Sequence, residues 1–532
     1  MWRIGWRDEA WSALDQEFDL IVIGGGITGA GIFAEACRKG FKTLLVEAKD
    51  FASGTSSRSS KLVHGGFRYL RNGQIKITYD SVRERERLLR EERGLIHELG
   101  FLIARYQGDR LPMWALGLGL TLYDLIAFRW GHKYYQPERM LDLCPQLNPQ
   151  DLEGGYRYFD ALTDDARLVL KMIKTGVEFG GYALNYCPVQ HILQMRHGQF
   201  VGIIIKDISP DGLERTCEVQ STAIINATGV WAEEVFSLAL GEMIRKPKLR
   251  KLQGSHLVFS QEKLPLTRAV SIWHPEDKRP VFAFPWEGVT LVGTTDVDTN
   301  SRIRTDPQIT GAEFEYLLDF IQYAFPGLNL SGKDVQSTFS GYRAVLDTGK
   351  SDPSKESREH ILKYDAGLLT VAGGKLTTFR LMANQALRLL GKKMASFSPS
   401  NQIQEAGISP SIRLFARSEI DTRIGIRLIG RLGMDVQYMV DEIPNEEFRL
   451  IENSRTTFAE LRWGAKAEGT MHLDDLLMRR VRLGITLPGG GLAIIQQIKE
   501  IVTEELHWDE TRWQEELINY KQLLGNRYSV RF

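Results

Sequence analysis

The segment Asp19-Leu-Ile-Val-Ile-Gly-Gly-Gly-Ile-Thr-Gly29 commits the start of this chain to a strand, a glycine-rich turn and a helix in immediate succession. Residues 19–23 form a short apolar strand, 28–39 a small-residue helix and 43–47 a second strand, a compact βαβ unit that nucleates a parallel sheet. Gly24, Gly26 and Gly29 have the spacing of a dinucleotide site. Such glycines permit the tight turn, the close approach of backbone N–H groups to a pyrophosphate and tight helix–sheet packing, while the helix N-terminus favours negative charge. Glu47 ends the second strand, placed to accept hydrogen bonds from a ribose diol.

This motif alone leaves NAD and FAD both open. Three further features favour FAD. Thr55, Ser56, Ser57, Ser59 and Ser60 follow the second strand closely and set small donors beside the pyrophosphate, where an NAD domain would more usually continue into another helix. The run Asn226-Ala-Thr-Gly229 supplies a close backbone turn after a late strand. Gly373-Gly374-Lys375 opens a helix whose positive end would stabilise an anionic reduced ring.

At 532 residues the chain exceeds what one hydrophobic core usually serves, so several domains are expected. Stretches 254–259, 281–285, 289–293 and 337–346 read as β and suggest a separate antiparallel layer. The region 154–240 alternates strands and helices that would join the first sheet, and the run 368–378, another strand entering a helix through a double Gly, returns to it. The expected fold is α/β: a Rossmann-like FAD-binding domain at 18–390, interrupted by an antiparallel-sheet substrate domain at about 248–346. An N-terminal extension (1–17) precedes it, and a C-terminal helical domain (391–532) follows, with helices expected at 422–432, 457–463 and 473–483. The charged helix 80–94, with alternating signs, reads as a solvated face.

Lys plus Arg and Asp plus Glu balance at 67 each, which provides no overall field for nucleic acid. Cys37, Cys144, Cys187 and Cys217 lack CxxC spacing, so no metal centre is expected, and their use fits a reducing cytosol. No secretory signal is visible at the start. The apolar stretch 111–128 is interrupted by Pro112, Gly117, Gly119 and Asp124, which excludes a spanning helix. It can instead lie on a membrane through Trp114, Leu118, Leu122, Tyr123 and Ile126, with Arg129, His132 and Lys133 meeting head groups, or be a buried helix. Trp2, Ile4, Trp6 and Trp11, interleaved with Arg3 and Arg7, are a second membrane candidate or a docked arm.

Several strings together carry a resemblance. They are the run 19–31, Thr55-Ser-Ser-Arg-Ser-Ser-Lys-Leu-Val-His-Gly-Gly-Phe-Arg-Tyr-Leu70, Asp164-Asp-Ala-Arg-Leu168, Gly254-Ser-His256, Gly293-Thr-Thr-Asp296, Phe339-Ser-Gly-Tyr-Arg343, Ser357-Arg-Glu-His360 and Gly373-Gly-Lys-Leu-Thr-Thr-Phe-Arg380. Over about residues 18–390 the chain resembles the FAD-dependent glycerol-3-phosphate dehydrogenases, among the D-amino-acid-oxidase-like flavoproteins. Asp474-Asp-Leu-Leu-Met-Arg-Arg-Val-Arg-Leu-Gly484 resembles that family's helical C-terminal domain.

The resemblance implies oxidation of sn-glycerol 3-phosphate to dihydroxyacetone phosphate, with electrons passing to membrane quinone. Sequence separates this poorly from an oxidase that reduces oxygen. An amino-acid or amine oxidase of the same fold needs only a carboxylate clamp, whereas several arginines argue for a phosphate. His64 is the expected base, because imidazole titrates near working pH and Gly65-Gly66 lets substrate come close. Arg68, Arg343 and Arg358 would bind phosphate through guanidinium forks, and Arg343 would also polarise the developing carbonyl oxygen. Tyr69, His256 and Thr295 are expected pocket neighbours.

By the same resemblance Ser56, Ser57, Ser60, Lys61 and Leu62 would line the flavin and its pyrophosphate. Val189 would touch adenine, and Gly374, Lys375, Leu376 and Thr377 would approach the flavin's pyrimidine edge, with Gly229 at the late-strand turn. Quinone use implies a cytoplasmic protein held peripherally on the inner face of the membrane. The helical tail is expected to self-associate into a homodimer or to pack on the flavin domain.

Overall fold

The computed structural model describes all residues except 1, 4, 68–69, 71–72, 196–197, 211, 213, 241–248, 300–305, 348–358, 395–396, 398–413, 416–419 and 531–532. Phe18–Ile23 is a central strand of an eight-stranded sheet. Thr43–Val46 and Thr216–Asn226 flank it in parallel, and Tyr182–Leu184 and Leu368–Gly373 extend the parallel set outward. His360–Asp365 adds an antiparallel edge, and the hairpin of Val189–Gln194 and Phe200–Lys206 pairs with the early part of Thr216–Asn226. Helix Ile27–Arg38 packs between helices Asp165–Glu178 and Phe379–Lys393. Its small residues are required there: a Cβ at Gly31 would lie 2.5 Å from the Phe379 ring.

The second sheet has ten strands and is antiparallel except where Ala269–Trp273 runs beside Ile96–Tyr106. Leu249–Ser260 pairs along its length with Val335–Leu346 and also with Val289–Gly293. Leu152–Thr163 pairs with Ile96–Tyr106 and so belongs to this sheet, a correction to the expectation that 154–240 would serve only the first. Its alternating burial suits an antiparallel sheet, whereas strands of the parallel sheet are buried on both faces. One face carries helix Gly311–Ala324, whose start is fixed by reciprocal Thr310 and Glu313 bonds. The other meets helices Ile75–Glu91 and Met113–Ala127 and the C-terminal helices.

One expectation about surfaces changes, and one open alternative is decided in favour of the docked N-terminal arm. Helix Ile75–Glu91 is not wholly solvated on its charged positions, because Arg85 is buried and donates to Asp160 (2.6 Å) and Tyr123 (2.8 Å). The N-terminal tryptophans do not face a membrane: Trp2 and Trp11 are buried, Trp2 stacks on Phe51 at 5.3 Å, and Arg7 pairs with Asp207 at 2.6 Å. Ile4 lies outside the described residues. The arm also bridges to the C-terminal region, through backbone pairing of Trp2 with Glu468.

The C-terminal helices include Thr422–Leu432, Phe458–Ala467, Ile495–Leu506 and Glu510–Leu523. Between them, Asp475–Arg480 winds as a π-helix that turns two consecutive guanidinia toward the nucleotide-binding half. Asp50, fully buried, takes bonds from Arg479 and Arg480, and Asp165 takes them from Arg482 and Lys61. Burial alone would raise the Asp50 carboxyl, but Arg480 and Arg479 overcome it and hold it at about 2. Asp475 lacks that balance, and burial with the nearby Asp50 charge pushes it up to about 6.

Candidate active site

A single cavity of about 1050 Å³ runs from the glycine turn to the second sheet. That is at the upper end of the ~300–1,000 Å³ usual for ligand pockets, as an extended dinucleotide requires. Gly24 and Gly26 line it and Gly29 does not, for reasons the backbone makes plain. Gly24 has a φ of 111°, and a Cβ there would sit 2.8 Å from the Ala227 carbonyl oxygen. A Cβ at Gly29 would collide with the Gly24 carbonyl oxygen, so Gly29 keeps helix and strand in contact behind the turn. Ser56 Oγ accepts from the Ile27 N–H (2.9 Å) at the mouth of the helix.

Glu47 lines the cavity, and its two carboxylate oxygens accept from the Gly25 N–H (2.7 Å) and the Lys49 N–H (2.9 Å). Burial raises this carboxyl, and the two N–H groups oppose the rise. Val189, at the start of its strand, and Gly229, in the turn after Asn226, complete this end. Asn226 braces the turn by accepting from the Thr228 hydroxyl (2.7 Å) and donating to the Ala232 carbonyl (2.9 Å). The donor set and the glycine cradle therefore fit an adenine dinucleotide that carries a diphosphate.

Farther along lie Ser60, Leu62, His64, Arg343, Gly374, Lys375, Leu376 and Thr377, so segments far apart in sequence converge on one volume. The peptide bond that follows the His64 side chain is held at both its polar groups. Its carbonyl accepts from Thr377 Oγ1 (3.3 Å), and the next N–H, of Gly65, donates to Asp160 Oδ1 (3.1 Å). Lys375 Nζ donates to Ser81 (2.7 Å). Arg343 comes from the strand Val335–Leu346, where its guanidinium donates to Asp296 Oδ1 (3.1 Å) and Thr294 Oγ1 (2.9 Å).

Four other expected residues sit beside the cavity rather than on it. Lys61 points the other way, fully buried against Asp165 (3.1 Å) and over the rings of Trp286 and Phe339. Burial and then the Arg482 charge pull its ammonium down to about 8, with Asp165 opposing. Ser57 is buried, and its carbonyl accepts from Lys61 and from Arg482. Thr295 is buried because its hydroxyl bridges the Ser255 N–H and Glu313.

His256 is buried and stacked on Phe339, with Nε2 3.0 Å from the cavity-lining Ser60 hydroxyl. Burial, and then the Arg343 and Lys61 charges, push its imidazole well below the usual range, so it acts as a neutral ring. Arg68, Tyr69 and Arg358 lie outside the described residues.

Sequence reasoning missed Asp160, Arg58, Arg279 and Asp296 as lining residues. Asp296 stands inside the Gly293-Thr-Thr-Asp296 string, and Asp160 follows the aromatic run Tyr156-Arg-Tyr-Phe159 in its strand. Arg58 stands inside the Thr55–Leu70 string, and Arg279 carries no local signal. Arg58 is held by Asp306 (3.2 Å) and by the Tyr528 hydroxyl from the distant C-terminal helices. Among the described residues no group of His, Cys, Asp and Glu is arranged to hold a metal ion.

Comparison with known proteins agrees with this geometry. The family profile for FAD dependent oxidoreductase matches residues 19–380, and that for the C-terminal domain of alpha-glycerophosphate oxidase matches 387–513. The aerobic glycerol-3-phosphate dehydrogenase of Staphylococcus aureus is 33% identical over 493 residues, covering 88% of this chain and 87% of that protein. The solved glycerol-3-phosphate dehydrogenase of Bacillus halodurans, complexed with FAD, superposes with a TM-score of 0.76 at 27% identity over 98% of each chain. The L-alpha-glycerophosphate oxidase of Mycoplasma pneumoniae shares the fold alone, with a TM-score of 0.58 at 18% identity over 73% of this chain and 97% of that one. With its glycine cradle, its two sheets and its helical C-terminal region all accounted for in one relative, the chain belongs to the FAD-dependent oxidoreductases and, among them, to the glycerol-3-phosphate dehydrogenase family.

Proposed function

We propose that the protein oxidises sn-glycerol 3-phosphate to dihydroxyacetone phosphate and delivers the electrons to a membrane quinone. The observation that carries this reading is the single cavity joining the dinucleotide cradle to His64 and Arg343. FAD, when bound, accepts the hydride from the secondary alcohol carbon. His64 takes the hydroxyl proton as the carbon–hydrogen bond breaks, and its pinned backbone keeps the imidazole facing the cavity. Arg343 holds the anionic end of the substrate and meets the oxygen that becomes a carbonyl, with Arg68 and Arg358 as further phosphate ligands. His256, neutral and bonded to Ser60, steadies the cavity wall, and Tyr69 is a further proposed substrate contact.

Anaerobic addition of glycerol 3-phosphate to the FAD-loaded protein should bleach the flavin absorbance. A short-chain quinone should then restore it faster than air does. An unchanged spectrum overturns the substrate, and faster recovery in air overturns the acceptor.

Quinone use requires a lipid surface, and one face supports it. Helix Met113–Ala127 and the turn after it leave Trp114 72%, Leu118 65%, Phe128 81% and Trp130 68% exposed, with Leu122 and Leu125 between them. Ile75 and Tyr79 of the neighbouring helix continue the patch, and Arg129 and Lys133 border it. Exposed apolar area on this scale marks an interaction surface. The face differs from the expected one: Tyr123 is buried on Asp160 and Ile126 is half-buried, while Leu125, Phe128 and Trp130 point outward. Among the described residues no helix is long and apolar enough to cross a membrane.

The protein should therefore sediment with anionic phospholipid vesicles. The variant W114S/L118S/F128S should lose that binding at least ~10-fold, since each buried side chain is worth about 1.5–3 kcal/mol. Equal sedimentation of both proteins would remove this face from the reading.

A further inference from the structure

We infer that Arg279 is a further guanidinium of the anion receptor in this cavity, paired with Arg343 across Asp296 and there to take the phosphate group of a phosphorylated polyol. The inference rests on the substrate reading above and adds to it a residue that lies outside every motif of the sequence.

Arg279 ends the tight turn between strands Ala269–Trp273 and Pro280–Trp286. Its backbone is fixed, because its carbonyl accepts from the His274 N–H (2.8 Å) and its own N–H donates to Asp277 Oδ1 (2.9 Å). The side chain is 30% exposed and lines the cavity beside Trp273 and Phe282. Its guanidinium stands 3.6 Å from Asp296 Oδ2, an ion pair too long for a hydrogen bond. Arg343 meets the other oxygen of the same carboxylate at 3.1 Å. Asp296 itself is 2% exposed, so the two guanidinia flank a nearly dry carboxylate.

The consequence is electrostatic and geometric. Asp296 lets two like charges share one wall by neutralising part of their repulsion, and it spaces the forks on either side of itself. Among the described residues the Arg279 guanidinium makes no hydrogen bond, so its donors face a cavity with nothing but solvent to satisfy them. A planar carboxylate is filled by one fork. A tetrahedral phosphate offers three oxygens, and two forks held apart match it better than one. Trp273 and Phe282 place apolar wall beside that contact, which lowers the local dielectric and strengthens it.

The test uses the FAD-loaded full-length protein with inorganic phosphate as probe, read by the change in flavin absorbance. Wild type should titrate saturably. R279Q should need about 10- to 100-fold more phosphate, the loss expected for charge-assisted hydrogen bonds, and R279K should fall between them. With glycerol 3-phosphate the half-saturating concentration for flavin reduction should rise in parallel, while the limiting rate changes less than ~3-fold. R279K guards against a folding defect, because it keeps the charge and most of the stem. A wild-type protein indifferent to phosphate, or equal titrations of wild type and R279Q, overturns the inference. Wild type that titrates with phosphate but is not bleached by glycerol 3-phosphate overturns the substrate reading instead, and the R279Q titration still decides the role of Arg279.

Discussion

Replacing His64 by glutamine should slow flavin reduction by glycerol 3-phosphate about 10²- to 10⁴-fold, the usual contribution of a positioned general base. The loss should fall on the limiting rate. Glutamine fills similar space, and the peptide bond after residue 64 stays held by Thr377 and Asp160, so FAD retention and substrate half-saturation should change little. Anaerobic stopped-flow absorbance separates the two quantities, and free imidazole should restore part of the rate in H64A, whose small side chain leaves room for it. A limiting rate in H64Q equal to that of wild type would show that the proton leaves by another route. Asp160 would then be the next group to test, since it lines the same cavity beside Gly65.

The second large effect is structural. Asp50 is fully buried, and D50N leaves the buried Arg480 guanidinium without its carboxylate partner, while Arg479 keeps Asp474 and Asp475. Removing one partner of such a pair costs about 3–5 kcal/mol, because the remaining charge has lost both water and its ion. D50N should therefore lower the urea midpoint sharply and open the C-terminal helices to protease. The double variant D50N/R480M should recover part of the loss, and a recovery of nothing would mean that the pair is not coupled.

The pH dependence follows from sign. Asp50 sits at about 2 in the folded protein, below an ordinary carboxyl, so its stabilisation is present above about pH 4 and is lost as pH falls toward about 2. Asp475, pushed up to about 6, works the other way: what it contributes is present below about pH 4 and is lost as pH rises through about 6. D50N should consequently flatten the acid limb of the stability curve, and D475N should flatten the neutral one.

The parts of the site legible in the sequence are those whose physics is local. Gly24, Gly26 and Glu47 could be read because strand, turn and helix follow within a few residues, and the backbone conformation each needs is decided by its neighbours. Ser60 and Leu62 were reached through a contiguous string. Lys61, embedded in that same string, turns away because strand pairing of Leu62 and Val63 with Leu162 and Ala161 sets which side chains alternate toward Asp165. Helix Met113–Ala127 gives a sharper case. It is apolar nearly all round, so periodicity cannot choose its outer face. That choice falls to Tyr123, whose hydroxyl needs the buried Asp160.

The sequence by itself determined the βαβ nucleus, the presence of an antiparallel layer and the helical C-terminal region, while its contiguous strings carried the family resemblance. Hydrophobic period, glycine spacing and turn chemistry act over short distances along the chain, and these features depend on nothing else. Tertiary structure alone decided that the N-terminal tryptophans are core, that Asp296 stands between Arg279 and Arg343, and that Asp50 joins the two ends of the molecule. Each of these is a pairing of charge or apolar surface across tens to hundreds of residues. Burial strengthens such pairings by removing the water that would otherwise satisfy each partner alone.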